Sequence, residues 1–153
     1  ELAAYYASKG TDVASELRKM YDTYGWYKEG IISVTKGGKE GVAEIQGIME
    51  KLRANPPKEM AGVKAVTLKD FELQVETNIA TGEKTAINLP KSNVIQVILE
   101  DGTYITARPS GTEPKIKYYF GVKEIIKSAS EFEEANKILT EKINRLVESM
   151  SNL

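Results

Sequence analysis

The chain has 153 residues, 41% of them hydrophobic and 28% charged, enough apolar material for one globular core. Lys and Arg total 21 against 22 Asp and Glu, a balance that argues against a general nucleic-acid binder. Cysteine and histidine are absent, which excludes disulfides, zinc–thiolate sites, cysteine nucleophiles and Ser-His-Asp arrangements.

No apolar run approaches the roughly 18–20 residues that cross a bilayer, and no basic-then-apolar leader opens the chain. Together with the missing cysteines this predicts a cytoplasmic protein without a membrane partner. The pattern from Glu1 to Lys9 reads as helix, with Leu2, Tyr5 and Tyr6 forming an apolar stripe. Gly10 ends it, and Thr11 is the expected cap of a second helix running to Tyr24. These two helices have nothing downstream to complete a core. Residues 1–29 are therefore expected to be the helical tail of a preceding domain, and 30–153 a domain of its own. Tyr5, Tyr6, Tyr24, Trp26 and Tyr27 would then be an exposed aromatic surface.

Ile31 to Thr35 favours a strand, which Gly37 and Gly38 interrupt. A helix is predicted from Lys39 to Ala54, with Val42, Ile45, Ile48, Met49 and Leu52 on one face. Asn55-Pro56-Pro57 stops it, since proline cannot continue the hydrogen-bond ladder. Val63–Leu68, Phe71–Thr77 and Thr85–Leu89 are candidate strands. Val94–Glu100 alternates cleanly, and Asp101-Gly102 is a two-residue hairpin signal leading into Thr103–Arg108. In Lys115–Val122, residues Ile116, Tyr118, Phe120 and Val122 share one face, while Lys115, Lys117 and Tyr119 share the other. Ser128 to Glu131 and Ser130 to Glu133 fit capping boxes for a last helix. Its expected buried stripe is Phe132, Ala135, Leu139, Ile143, Leu146 and Met150. The resulting class is α+β: an antiparallel sheet of four to five strands, ordered β-α-β-β-β-β-α, with two helices on one face.

Chemistry concentrates in Arg108-Pro109-Ser110-Gly111-Thr112-Glu113-Pro114-Lys115-Ile116-Lys117. Pro109 fixes φ and Gly111 permits positive φ, so a tight turn is expected whose amides converge into an anion nest. Ser110 and Thr112 add hydroxyl donors, and Arg108 offers a planar fork for two phosphate oxygens. Lys115 or Lys117 could add a point charge at the mouth. On pattern alone, Pro-Ser-Gly-Thr reads more readily as a plain turn than as a binding site. Tyr118-Tyr119 reads as core and strand packing. Lys117 to Val122 faintly resembles the aromatic strands of single-stranded RNA-binding modules, but the basic-Gly-aromatic order is not met.

The same loop resembles the C-terminal phosphate-binding loop of the α-D-phosphohexomutase superfamily, which includes phosphoglucomutases, phosphomannomutases and phosphopentomutases. Tyr24-Gly25-Trp26-Tyr27, the Lys39–Pro57 segment and the closing helix fall in the order of that family's C-terminal third. The resemblance implies a TATA-binding-protein-like fold. It also implies a parent enzyme that interconverts sugar 1-phosphate and sugar 6-phosphate through a phosphoserine and a sugar bisphosphate, assisted by Mg²⁺. By match to the loop, Arg108, Ser110, Gly111 and Thr112 would grip the non-reacting phosphate, with Lys117 a further candidate. The family's Ser-His-Asn-Pro, Asp-x-Asp-x-Asp-Arg and Gly-Glu-x-Ser-Gly-His loops have no counterpart in the chain. Hence no catalytic or metal-binding residue is expected here, and the chain alone is expected to be inactive. Its expected partners are a phosphosugar and upstream domains of the same enzyme. A phosphopentomutase piece, a single-stranded RNA-binding module and a protein-interaction module remain the alternatives.

Overall fold

The computed structural model describes residues 1–125 and 132–150. Among these, the elements in order are α1 (Leu2–Ser8), α2 (Val13–Tyr24), β1 (Trp26–Thr35), α3 (Gly38–Ala54), β2 (Glu59–Met60) and β3 (Val63–Asp70). They continue with β4 (Val75–Asn78), β5 (Lys84–Ala86), β6 (Ile95–Leu99), β7 (Tyr104–Pro109), β8 (Lys115–Glu124) and α4 (Phe132–Met150). The fold is α+β, as the sequence implies. All pairings are antiparallel, in the order β1-β8-β7-β6-β3-β4-β5, with β2 paired to β3 alone.

The sheet has eight strands among the described residues, more than the four to five expected. The surplus comes from the short ribbon of β4 and β5 and from two-residue β2, which lack the alternation that marks a half-buried strand. β4 also starts later than Phe71. The Asp70 carboxylate accepts from the Glu72 and Leu73 amides at 3.0 and 3.1 Å, and Gln74 takes φ +55°, so the chain turns there before it pairs. β1 begins at Trp26 rather than Ile31 and pairs with β8 over ten residues, from Trp26↔Glu124 to Thr35↔Lys115. The expected division after residue 29 therefore falls inside this strand.

The core lies between the sheet and the two long helices. From β8, Ile116, Tyr118, Phe120 and Val122 are buried, as their alternation predicts, and they meet Ile45, Met49 and Leu52 of α3 and Ala135, Leu139 and Leu146 of α4. Burying one such side chain contributes about 1.5–3 kcal/mol, so β8 anchors the domain. Among the described residues, the opposite face of β8 is the open one, with Lys117 exposed and Tyr119 half-buried.

Several local expectations change. Asp12, not Thr11, caps α2 by accepting from the Ser15 amide at 2.9 Å, while the Thr11 hydroxyl donates to Glu16. Both residues are good caps, but Asp12 stands immediately before the first helical residue in an extended conformation, while the Thr11 hydroxyl is engaged with Glu16. The β6–β7 connection is not a two-residue turn. Gly102 donates to the Leu99 carbonyl at 3.0 Å and adopts φ +82°, which makes a three-residue loop of Glu100, Asp101 and Gly102. Phe132 is 60% exposed rather than buried, because it lies in the first turn of α4, beyond the sheet's cover. Ile143 and Met150 are half-buried, and Val42 is exposed. Trp26 is 3% exposed: it stacks on Tyr21 at 4.6 Å and so belongs to the core instead of an aromatic surface. The two capping boxes begin at Ser128 and Ser130, outside the described residues.

Candidate anion site

β7 ends at Pro109 and β8 starts at Lys115, and their register carries the loop between them. Arg108 stands opposite Lys117 and Pro109 opposite Ile116, and the Ser110 amide closes the ladder on the Lys115 carbonyl at 2.8 Å. Ile116 is buried against the helices, so strand alternation turns Lys117 and its partner Arg108 to the open face. Two like charges directly across an antiparallel pair are destabilising. Among the described residues neither cation has an ion-pair partner to offset this repulsion.

The loop turns around Ser110. Its hydroxyl oxygen accepts from the Thr112 amide at 3.4 Å and the Glu113 amide at 3.3 Å. Both contacts are longer than the usual 2.9–3.0 Å or so, and therefore weak. Two N–H groups thus converge on one point, and the Ser110 hydroxyl proton remains free to donate outward. Gly111 does not take positive φ, contrary to expectation, so the turn needs no left-handed residue there. An added β-carbon on Gly111 would meet nothing within 4 Å, and its absence leaves the loop backbone open to a ligand.

These groups line a cleft of about 240 Å³ formed by Arg108, Pro109, Ser110, Gly111, Glu113, Lys115, Lys117 and Tyr119. Of the residues expected from sequence, Arg108, Ser110, Gly111 and Lys117 come together here. Thr112 is exposed and contributes its amide to the turn, but it does not line the cleft. The two lysines separate: Lys115 is held by the Glu113 carboxylate at 3.1 Å, whereas Lys117 is unpaired among the described residues. Glu113 offsets one positive charge, which leaves Arg108 and Lys117 as the net surplus. Tyr119 also lines the cleft, and its packing role is corrected accordingly: only Tyr118 enters the core, where burial raises its phenol pKa. The signal was present in the strand period, since Tyr119 shares the face of Lys117.

The volume is below the roughly 300–1,000 Å³ of a drug-sized pocket and suits one anionic group with part of its carrier. Two cations, one hydroxyl and converging amides match a tetrahedral oxyanion. Among the described residues no cluster of His, Cys, Asp or Glu could hold a metal ion.

Residues 33–138 match the family model for the C-terminal domain of phosphoglucomutase/phosphomannomutase. The chain belongs to this family. The match spans more than half of the sequence and contains the whole cleft. A phosphoglucomutase of Staphylococcus aureus (strain USA300) is 40% identical over 122 residues, covering 77% of this chain and 22% of that protein. One from Staphylococcus epidermidis is 38% identical over 117 residues, covering 76% of this chain and 21% of that protein. Among solved structures, the open form of parafusin, a phosphoglucomutase from Paramecium, overlaps 88% of this chain and 22% of that one, with 15% identity and a TM-score of 0.48. The chain spans about a fifth of the length of the curated phosphoglucomutases it matches. No helix among the described residues is long and apolar enough to cross a membrane.

Proposed function

We propose that this chain is the phosphate-gripping C-terminal part of a phosphohexomutase that interconverts sugar 1-phosphate and sugar 6-phosphate, with glucose or mannose as the sugar. The observation that carries this reading is the Arg108–Lys117 pair, which has no ion-pair partner among the described residues, beside the Ser110 loop. A phosphate monoester carries roughly −1.5 to −2 charges and three strong acceptor oxygens. It would relieve the repulsion between the two cations and take over the weakly held amides.

In this reading Arg108 holds two phosphate oxygens, Lys117 adds a point charge, and Ser110 donates its hydroxyl proton. The Gly111 backbone permits close approach, and Thr112 acts through its amide. Each charge-assisted bond contributes about 1.5–3 kcal/mol before ordering costs. In a site this wet, the net affinity is on the order of millimolar. The grip is on the phosphate that does not react. In a mechanism through phosphoserine and a sugar bisphosphate, the same clamp serves both orientations of the intermediate, because it recognises the phosphate rather than the carbon that bears it.

Mg²⁺ would supply charge neutralisation at the transferring phosphoryl group. This chain's described residues do not gather a metal site, so we assign the ion, the nucleophile and the sugar-specificity contacts to other domains of the enzyme, and we infer that the chain alone is inactive. We further propose that α1 and α2 close a preceding domain, with the C-terminal domain opening at β1.

The test is a ¹⁵N NMR titration with glucose 1-phosphate, repeated with glucose. Amide shifts that include residues 108–117, seen only with the phosphorylated sugar, are expected. Equal responses to the two sugars, or none, would refute the clamp.

A further inference from the structure

The cation cleft continues past Lys117. Tyr119, the next residue of β8 on the same face, borders both the cleft and a second hollow of about 290 Å³. That hollow is lined by Glu29, Gly30, Ile31, Tyr104, Tyr119 and Phe120. The register explains the shape. Tyr119 stands between Ile31 of β1 and Thr106 of β7, and Gly121 stands between Glu29 and Tyr104. Gly121 lacks a side chain, and the Tyr104 ring lies over it and forms part of the hollow's lining. Ile31 is 55% exposed in the wall. The Tyr104 hydroxyl donates to the Glu29 carboxylate at 3.4 Å, a long contact that leaves acceptor capacity on the carboxylate.

We propose that this second hollow holds the hexose ring of the sugar phosphate whose phosphate occupies the Arg108–Lys117 cleft, with Tyr119 against the ring and Glu29 accepting from a hydroxyl. The inference rests on the phosphate-clamp reading and adds a sugar contact to it. Same-face residues along a strand are about 7 Å apart, so Tyr119 stands one short step from the cation pair, where a ring joined by a single ester oxygen must lie. A tyrosine face carries negative charge density and attracts the polarised C–H bonds of a hexose. Ile31 and Tyr104 complete an apolar wall, and Glu29 is the polar group that orients hydroxyls. The charges also set direction. Two cations at one end, unpaired among the described residues, draw the phosphate, while Glu29 at the other end repels it.

The experiment compares inorganic phosphate with glucose 1-phosphate by NMR titration of the chain and of its Tyr119→Ala and Glu29→Gln variants. Inorganic phosphate is expected to shift amides near Ser110 alone. Glucose 1-phosphate is expected to shift those of Ile31, Tyr104 and Gly121 as well. Tyr119→Ala should weaken glucose 1-phosphate about threefold to tenfold, and Glu29→Gln about twofold or more. Glu29, which does not line the cation cleft, should on replacement by Gln leave the phosphate constant within about twofold. Glu29 is exposed, so its variant reports even if Tyr119→Ala unfolds the sheet. Identical shift sets for the two probes, with unchanged affinities in the variants, would overturn the sugar contact and leave the phosphate clamp standing. Silence at the Ser110 loop with both probes would overturn both.

Discussion

The ring of Tyr104 occupies the space that a β-carbon on Gly121 would need: the added atom would lie 2.2 Å from two ring carbons. Gly121 is thus fixed by a cross-strand neighbour and not by its backbone angles. Gly121→Ala should destabilise the chain by about 1–3 kcal/mol as the ring is driven off the strand. In a Tyr104→Ala background most of that cost should disappear. A urea-denaturation double-mutant cycle reads the coupling, and costs that add within about 0.5 kcal/mol would contradict the contact.

α2 is tied to the sheet through one aromatic pair, Tyr21 stacked on buried Trp26 at 4.6 Å. Tyr21→Ala removes the stack and should cost about 1–3 kcal/mol. Because Trp26 is the single tryptophan, its emission should shift to the red, and α2 should become cleavable by protease. Unchanged emission would show that α2 is held by other contacts.

Lys142 pins α4 to the sheet. Its ammonium donates to the Lys123 carbonyl at 2.7 Å and to Asp101 at 2.7 Å. Burial alone would raise the Asp101 pKa, but hydrogen bonds from Lys142 and the Thr103 amide outweigh it and hold the carboxyl below 3.8. A depressed folded-state pKa means stability that is present above the unfolded value and is lost as pH falls through the folded one. Asp101→Asn should therefore be less stable than the parent at neutral pH, with the gap narrowing below pH 3.8. Lys142→Met should cost about 1–3 kcal/mol at neutral pH. Thermal melts of parent and Asp101→Asn across pH 2–7 or so test the sign, and a gap that widens on acidification would reverse it.

The central sheet was legible because Ile116, Tyr118, Phe120 and Val122 alternate against one buried face, and hydrophobic period is set by that burial. β1 was truncated in the sequence reading because Trp26–Gly30 carries Lys28, Glu29 and Gly30, which look like loop residues yet pair with β8. Asp12 displaced Thr11 because two adjacent capping residues cannot be ranked without geometry. β2 is held by β3 alone and has no pattern of its own. Within the site, the Arg108 to Lys117 motif located the loop. The pairing of Lys115 with Glu113, and the emergence of Tyr119 beside Lys117, depend on the register between β7 and β8, which no local motif encodes.

The most direct measurement is the affinity for glucose 1-phosphate in the chain and in Arg108→Ala, read at the Ser110, Gly111 and Glu113 amides. Arg108 is exposed and without an ion-pair partner among the described residues, so its removal leaves the fold intact. Losing about 1.5–3 kcal/mol of charge-assisted bonding predicts dissociation weakened at least about tenfold from a millimolar starting value. Equal affinity in the two proteins would contradict the phosphate clamp.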